Sequence, residues 1–191
     1  MKKFDRFETA QIKNGSVYDP LPKGAYVIKI LNAKEEPNKN GEGTHIKIEF
    51  DVAEGKYSDF YKKQFEASTD EDKHWPYDGV YNLIAPDDNS PQWQIDNFGT
   101  FIDALEDSNS GYHWDWDETK WRGKVIGALF RIEQNESNGN VYDHTRPYWF
   151  RSAQTVRDGK ALRLPKDKLA VRTVEFINVP ANTTADELPF Q

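Results

Sequence analysis

The stretch KVIGALFRIEQNESNGNVYDHTRPYWFRSA, residues 124–153, decides how the chain is read. Its first eleven residues alternate, placing Ile126, Ala128, Phe130 and Ile132 on one side, the period of a strand with one buried face. Asn138-Gly139 follows within NESNGN (135–140) and is the strongest short hairpin signal, because a tight two-residue turn needs positive φ at both positions. VYDHTRPYWFRSA (141–153) is then the return strand. Pro147 has no N–H to give to a ladder, so it marks an edge strand or a bulge.

Working upstream, the period changes. SPQWQIDNFGTFIDALEDSNSG (90–111) repeats Ile95, Phe98, Ile102 and Leu105 at helical spacing. Ser90 as cap, Pro91 at the first helical position and Gly111 as stop predict a helix over 91–107. Before it lie three further runs. AYVIKILNAKE (25–35) sets Tyr26, Ile28 and Ile30 on one face, and THIKIEFDVA (44–53) sets Ile46, Ile48, Phe50 and Val52 inward with Lys47, Glu49 and Asp51 outward. YSDFYKKQFEA (57–67) is aromatic-rich and reads as a third strand, so the three runs form a meander. Residues 68–90 read as an insertion that holds a short strand-like run, VYNLIA (80–85). Residues 1–22 read as an arm closed by Pro20 and Pro22, residues 23–177 as the domain, and residues 178–191 as a flexible acidic tail.

The order is three strands, a helix, then a hairpin. That order predicts a mainly β protein of the OB-fold type, a five-stranded Greek-key barrel with one helix between strands three and four. Ligands of such barrels cross strands two and three between two loops, here EPNKNGEG (36–43) and NESNGN.

Charge is unevenly spread. The net charge is −7, yet residues 65–118 carry 14 acids and one base, Lys73, while residues 121–172 carry 11 bases and 5 acids. Local field, more than net charge, governs capture of a charged ligand. Aromatic residues make up 14% of the chain, enough for some to serve recognition at the surface. On the expected third strand Tyr57, Tyr61 and Phe65 accompany Lys62 and Lys63, and on the fifth Tyr148 and Trp149 accompany Arg146 and Arg151. With Arg122 and Lys124, these cations are the candidate phosphate contacts, and the five rings are the candidate base-stacking platforms. Rings interleaved with cations are what sequence-tolerant binding of single strands requires.

Two other classes compete. HWPYD (74–78) and GYHWDWDE (111–118) bring His74 near Asp78 and His113 near Asp115, Asp117 and Glu118, which would suit a metal-dependent nuclease, although neither has a recognised ligand spacing. Trp114, Trp116 and Trp121 would suit a carbohydrate- or protein-binding β-domain such as a virion component. No catalytic residue, metal or cofactor is assigned. There is no Cys, no apolar leader and no membrane-spanning run, so a cytoplasmic protein is expected.

The strand order, the aromatic–basic interleaving and the chain end together resemble phage-encoded single-stranded DNA-binding proteins of the OB-fold type. The end, Asp186, Glu187, Leu188, Pro189 and Phe190, is similar to the acidic Pro-Phe tail of bacterial single-stranded DNA-binding proteins, with Gln191 displacing the terminal carboxylate by one residue. The resemblance implies a non-enzymatic protein that coats single-stranded DNA in replication or recombination, working in the host cytoplasm if phage-encoded. It also implies that the tail recruits replication or recombination proteins. The sequence leaves room for a homo-oligomer.

Overall fold

The computed structural model describes residues 20–137, 139–159 and 162–170. One antiparallel sheet contains β1 (Ala25–Pro37), β2 (Thr44–Val52), β3 (Val80–Ala85), β4 (Val125–Ser137) and β5 (Asn140–Arg151), in the spatial order β3-β2-β1-β4-β5. Among the described residues three helices accompany it: α1 (Phe60–Ala67), α2 (Gln92–Ser108) and α3 (Ala153–Arg157). Single 3-10 turns occupy Tyr77–Gly79 and Glu118–Trp121.

The β4–β5 hairpin forms where the sequence predicts it. Ser137 pairs with Asn140 across the turn, and Gly139 takes φ 76°, the left-handed region open to glycine. Ile126, Ala128 and Phe130 are buried as expected. Pro147 sits at a bulge: Leu129 pairs with Trp149 and Phe130 with Pro147, so Tyr148 is the extra residue, on an edge strand.

β1 is the central strand. Ile28 faces Val52 on one side and Ile126 on the other, and Val27 and Ile28 are both buried. The sheet curls until its outer strands approach. Arg146 Nη2 on β5 donates to the Val80 carbonyl at 2.7 Å, Tyr81 packs edge-on against Phe150 at 5.0 Å, and Asp78 lies 2.9 Å from His144 Nδ1. No ladder joins β3 to β5, so the sheet is barrel-like but not closed. Phe50, Tyr61, Phe101, Leu105, Trp121 and Phe130 fill its interior.

The third strand is not where the sequence reading puts it. Residues 60–67 are helical, and β3 lies inside the stretch read as an insertion. Tyr57, Phe60, Tyr61 and Phe65 recur at i, i+3, i+4 and i+8, which is a helical stripe as well as a run of aromatics. Asp51 supplies the decisive contact. Expected to face outward, it is buried at the end of β2, where its carboxylate accepts from the N–H groups of Val52, Tyr61 and Lys62 at 2.8–2.9 Å. Two of these are first-turn donors of α1, which no side chain of its own capping residue, Asp59, satisfies. Burial raises the Asp51 pKa, against the opposing pull of the three N–H donors. Asp51→Ala is expected to cost about 1–3 kcal/mol in urea unfolding, since it strands buried donors. An unchanged midpoint would show that α1 does not need this contact.

The expected helix at 91–107 appears as α2, with two differences. Pro91 stays extended just outside the first turn, and the Ser90 hydroxyl takes the Asp87 N–H instead of capping the helix. Ile95 is 41% exposed, while Phe98, Phe101, Ile102 and Leu105 form the buried stripe. At the far end the Asn109 amide donates to the carbonyls of Leu105 and Val125 and accepts from Val125 N–H, clamping α2 onto β4.

Leu21, assigned to the N-terminal arm by sequence, is 2% exposed and belongs to the core. Downstream, residues 167–168 run along the edge of β4: Lys168 N–H donates to Ile132, Gln134 N–H donates to Lys168, and Lys23 reaches Asp167 at 2.8 Å. Among the described residues no helix is long and apolar enough to cross a membrane.

Candidate functional site

A groove of about 310 Å³ opens where β3 and β5 fail to pair. β3 contributes Tyr81, Asn82, Leu83 and Ile84 to its lining, and β5 contributes Tyr148 to Arg151. The first half of α2 contributes Trp93, Gln94, Asn97, Phe98 and Thr100. The seam is bridged at one end by Arg146 and floored by Tyr81, Phe98 and Phe150.

Three rings stand at this groove. Trp93 is 55% exposed and Tyr148 44%, with Trp149 half-buried beside them. The bulge at Pro147 has a direct consequence here. It inserts Tyr148 next to Trp149, so consecutive residues bring their rings within 5.7 Å of each other. The Arg131 guanidinium lies 3.6 Å from the Tyr148 ring centre and is held by Glu133 at 2.6 Å, which braces that ring from behind.

The electrostatics of the lining differ from those of the whole protein. The chain carries 32 acidic residues, yet among the described residues none lines the groove, and Arg151 is the charged side chain of that lining. Arg151 is exposed, with Nη1 donating to the Phe150 carbonyl at 2.6 Å. Burial pushes the Tyr81 hydroxyl up to about 12, so it stays neutral and able to donate at physiological pH.

Of the eleven residues assigned to DNA by sequence, the groove gathers three: Tyr148, Trp149 and Arg151. Tyr61 is 1% exposed and packs against Phe50 and Phe60, so it is a core ring and not a platform. Its hydroxyl pKa is raised, mainly by burial. Tyr57 lies edge-on to Tyr26 and Phe60, and Phe65 packs on Trp75. Tyr61 lies in the core and Tyr57 packs against it from the approach to α1, because the segment is helical, while Phe65 on α1 meets Trp75.

The cations divide in the same way. Lys62 lies 3.9 Å from Glu66 and Lys63 donates to the Ser58 carbonyl, both on exposed α1. Lys124 sits 4.0 Å over the Tyr112 ring, and Arg122 is exposed at the end of the preceding turn. Arg146 is largely buried, spent on Val80 and on the Tyr77 ring 4.3 Å away, so it braces the seam instead of meeting solvent. Asp78, beside it, has its pKa raised by burial against the pull of His144 and Arg146.

Sequence reasoning missed Trp93, Gln94, Asn97 and Asn82. One signal was present: Trp93 lies off the buried stripe of α2, where a large ring needs another reason to be. The tail residues Asp186, Glu187, Leu188, Pro189 and Phe190 lie outside the described residues.

The rival sites are dispersed. Asp78 pairs with His144, not His74, and His113 lies 3.5 Å from Glu106. No group of three or more His, Asp or Glu residues that could hold a metal ion occurs among the described residues. Trp121 is fully buried and Trp114 half-buried, which leaves Trp116, 81% exposed at φ 65°, as the one ring of that loop open to a sugar. The sequence matches no protein-family model and no curated protein.

Proposed function

We propose that this protein binds single-stranded DNA, without catalysis, in the groove between β3, β5 and the start of α2. The observation that carries the reading is a lining with, among the described residues, three accessible rings and one arginine but no carboxylate, on a protein whose net charge is −7. A strand of phosphates is repelled by most of such a surface and tolerated where the acids stop. Unpaired bases gain from flat rings whatever their identity, and duplex bases, already stacked on each other, do not. The antiparallel order β3-β2-β1-β4-β5, with a helix between the third and fourth strands, supports an OB-type barrel left open at its last seam. The setting in phage replication or recombination rests on the sequence resemblance.

Titration of the full chain with oligo-dT, followed by tryptophan fluorescence, tests the reading. Binding is expected to weaken as salt rises, and duplex of the same length is expected to bind less well. Arg151→Ala should lower affinity for every strand alike and reduce the slope of log K against log salt by about one. Equal affinity for duplex, or no binding at low salt, overturns the proposal.

A further inference from the structure

We propose that the bound strand does not stop at the bridged end of the groove but continues over Arg146 to a further stacking ring, Tyr77. This rests on the reading that an unpaired strand enters the groove. Tyr77 opens the 3-10 turn that leads into β3, lies outside the groove lining and is 63% exposed. Its setting repeats that of Tyr148. The Arg131 guanidinium lies 3.6 Å from the Tyr148 ring centre, and the Arg146 guanidinium lies 4.3 Å from the Tyr77 ring centre. Both arginine side chains are largely covered, and each faces a carboxylate: Glu133 at 2.6 Å from Arg131, Asp78 at 4.0 Å from Arg146.

Arg131 and Arg146 are directly opposed in the β4–β5 ladder. Opposed residues share a face, with Cα atoms about 4.5–5.5 Å apart, so the two tyrosines rest on neighbouring supports. A ring with a guanidinium against one face keeps the other for a ligand, and the cation holds it in place. His144, edge-on at 5.6 Å, borders the Tyr77 ring at its side. A ring already fixed in this way loses little freedom when a base stacks on it. Asp78 is paired with His144 and Arg146, and Glu133 with Arg131, which blunts their repulsion of the phosphate that links one base to the next. Tyr77 is therefore the ring that a base meets after the strand has crossed the seam.

The test titrates the full chain and its Tyr77→Ala variant with oligo-dT of increasing length, up to about 16 nucleotides, the upper end for one OB-type barrel. The readout is the ratio of the two dissociation constants at each length, in which sliding along the strand cancels. The ratio is expected to be one for the shortest strands that bind, which occupy the groove alone. It should rise to about tenfold once a strand is long enough to reach Tyr77, within what one base stacked on an aromatic ring contributes. Tyr77→Phe keeps the ring and should match the parent at every length. Tyr77→Leu keeps an apolar cover on Arg146 without a flat ring, and should repeat the alanine result if alanine loosens the seam. A ratio of one at every length leaves Tyr77 as a cover for Arg146 and overturns the proposal. A ratio above one but equal at every length also overturns it, because the ring then acts through the shape of the groove. Failure of the parent to bind oligo-dT of any length overturns the reading beneath it instead.

Discussion

Replacing Trp93 and Tyr148 together with alanine is expected to weaken oligo-dT binding on the order of 10³-fold, from about 2 kcal/mol for each stacked ring. The two rings come from different elements, α2 and β5, and face the same groove. Each is roughly half exposed, so neither removal opens a core cavity. The loss should therefore appear in affinity and not in stability. Tyr148→Phe separates ring from hydroxyl and should bind almost as well as the parent, because the stacking surface is kept. Tyr57→Ala, on the opposite side of the sequence reading, makes the informative control: its ring packs against Tyr26 and Phe60 and does not line the groove. Its effect should fall on stability and leave binding largely intact. The groove is excluded as the binding surface if the double variant binds oligo-dT as the parent does.

The largest loss of stability is expected from Trp121→Ala, about 3–5 kcal/mol. Trp121 is fully buried and contacts Phe101 on α2 at 5.2 Å and Trp114 at 5.1 Å. It is the point where the loop carrying Trp114 and Trp116 is fastened to the core. Alanine removes the ring and leaves a cavity that the surrounding aromatics can fill only in part. For a chain of this size the melting temperature should fall by about 10 °C. Trp121→Phe retains much of the volume and should lose less than half as much. Urea unfolding followed by circular dichroism measures both, and a cost below about 1 kcal/mol for alanine would remove Trp121 from the centre of the core. Trp116→Ala, by contrast, should leave the midpoint nearly unchanged, because its ring is 81% exposed.

The hairpin of β4 and β5 was legible because its signals are local: alternation, Asn138-Gly139, and a proline that can only sit at an edge or bulge. α2 was legible for the same reason. α1 was not, because its cap comes from Asp51, buried at the end of a neighbouring strand, while the aromatic run at 57–67 satisfies both strand composition and helical spacing. β3 was read as a short strand-like run at 80–85, as it is, but was assigned to an insertion and not to the barrel, because it is six residues long and half of it is only partly covered. At the groove, Tyr148, Trp149 and Arg151 could be read together since they are neighbours on one strand. Asn82, Trp93, Gln94 and Asn97 join them only through the curl of the sheet and the docking of α2, and neither is written in any single segment.

The central position of β1 sets a demand on how the chain is made. Its second partner, β4, meets it through pairs such as Ile28 with Ile126, about a hundred residues further along. At a synthesis rate of roughly 5–20 residues per second, one flank of the first strand waits something like 5–20 s for its mate to be translated. During that interval Val27 and Ile28 belong to a bare hairpin whose open flank can recruit any extended neighbour, so yield on overexpression should depend on temperature and on chaperones more than the finished molecule's stability would suggest.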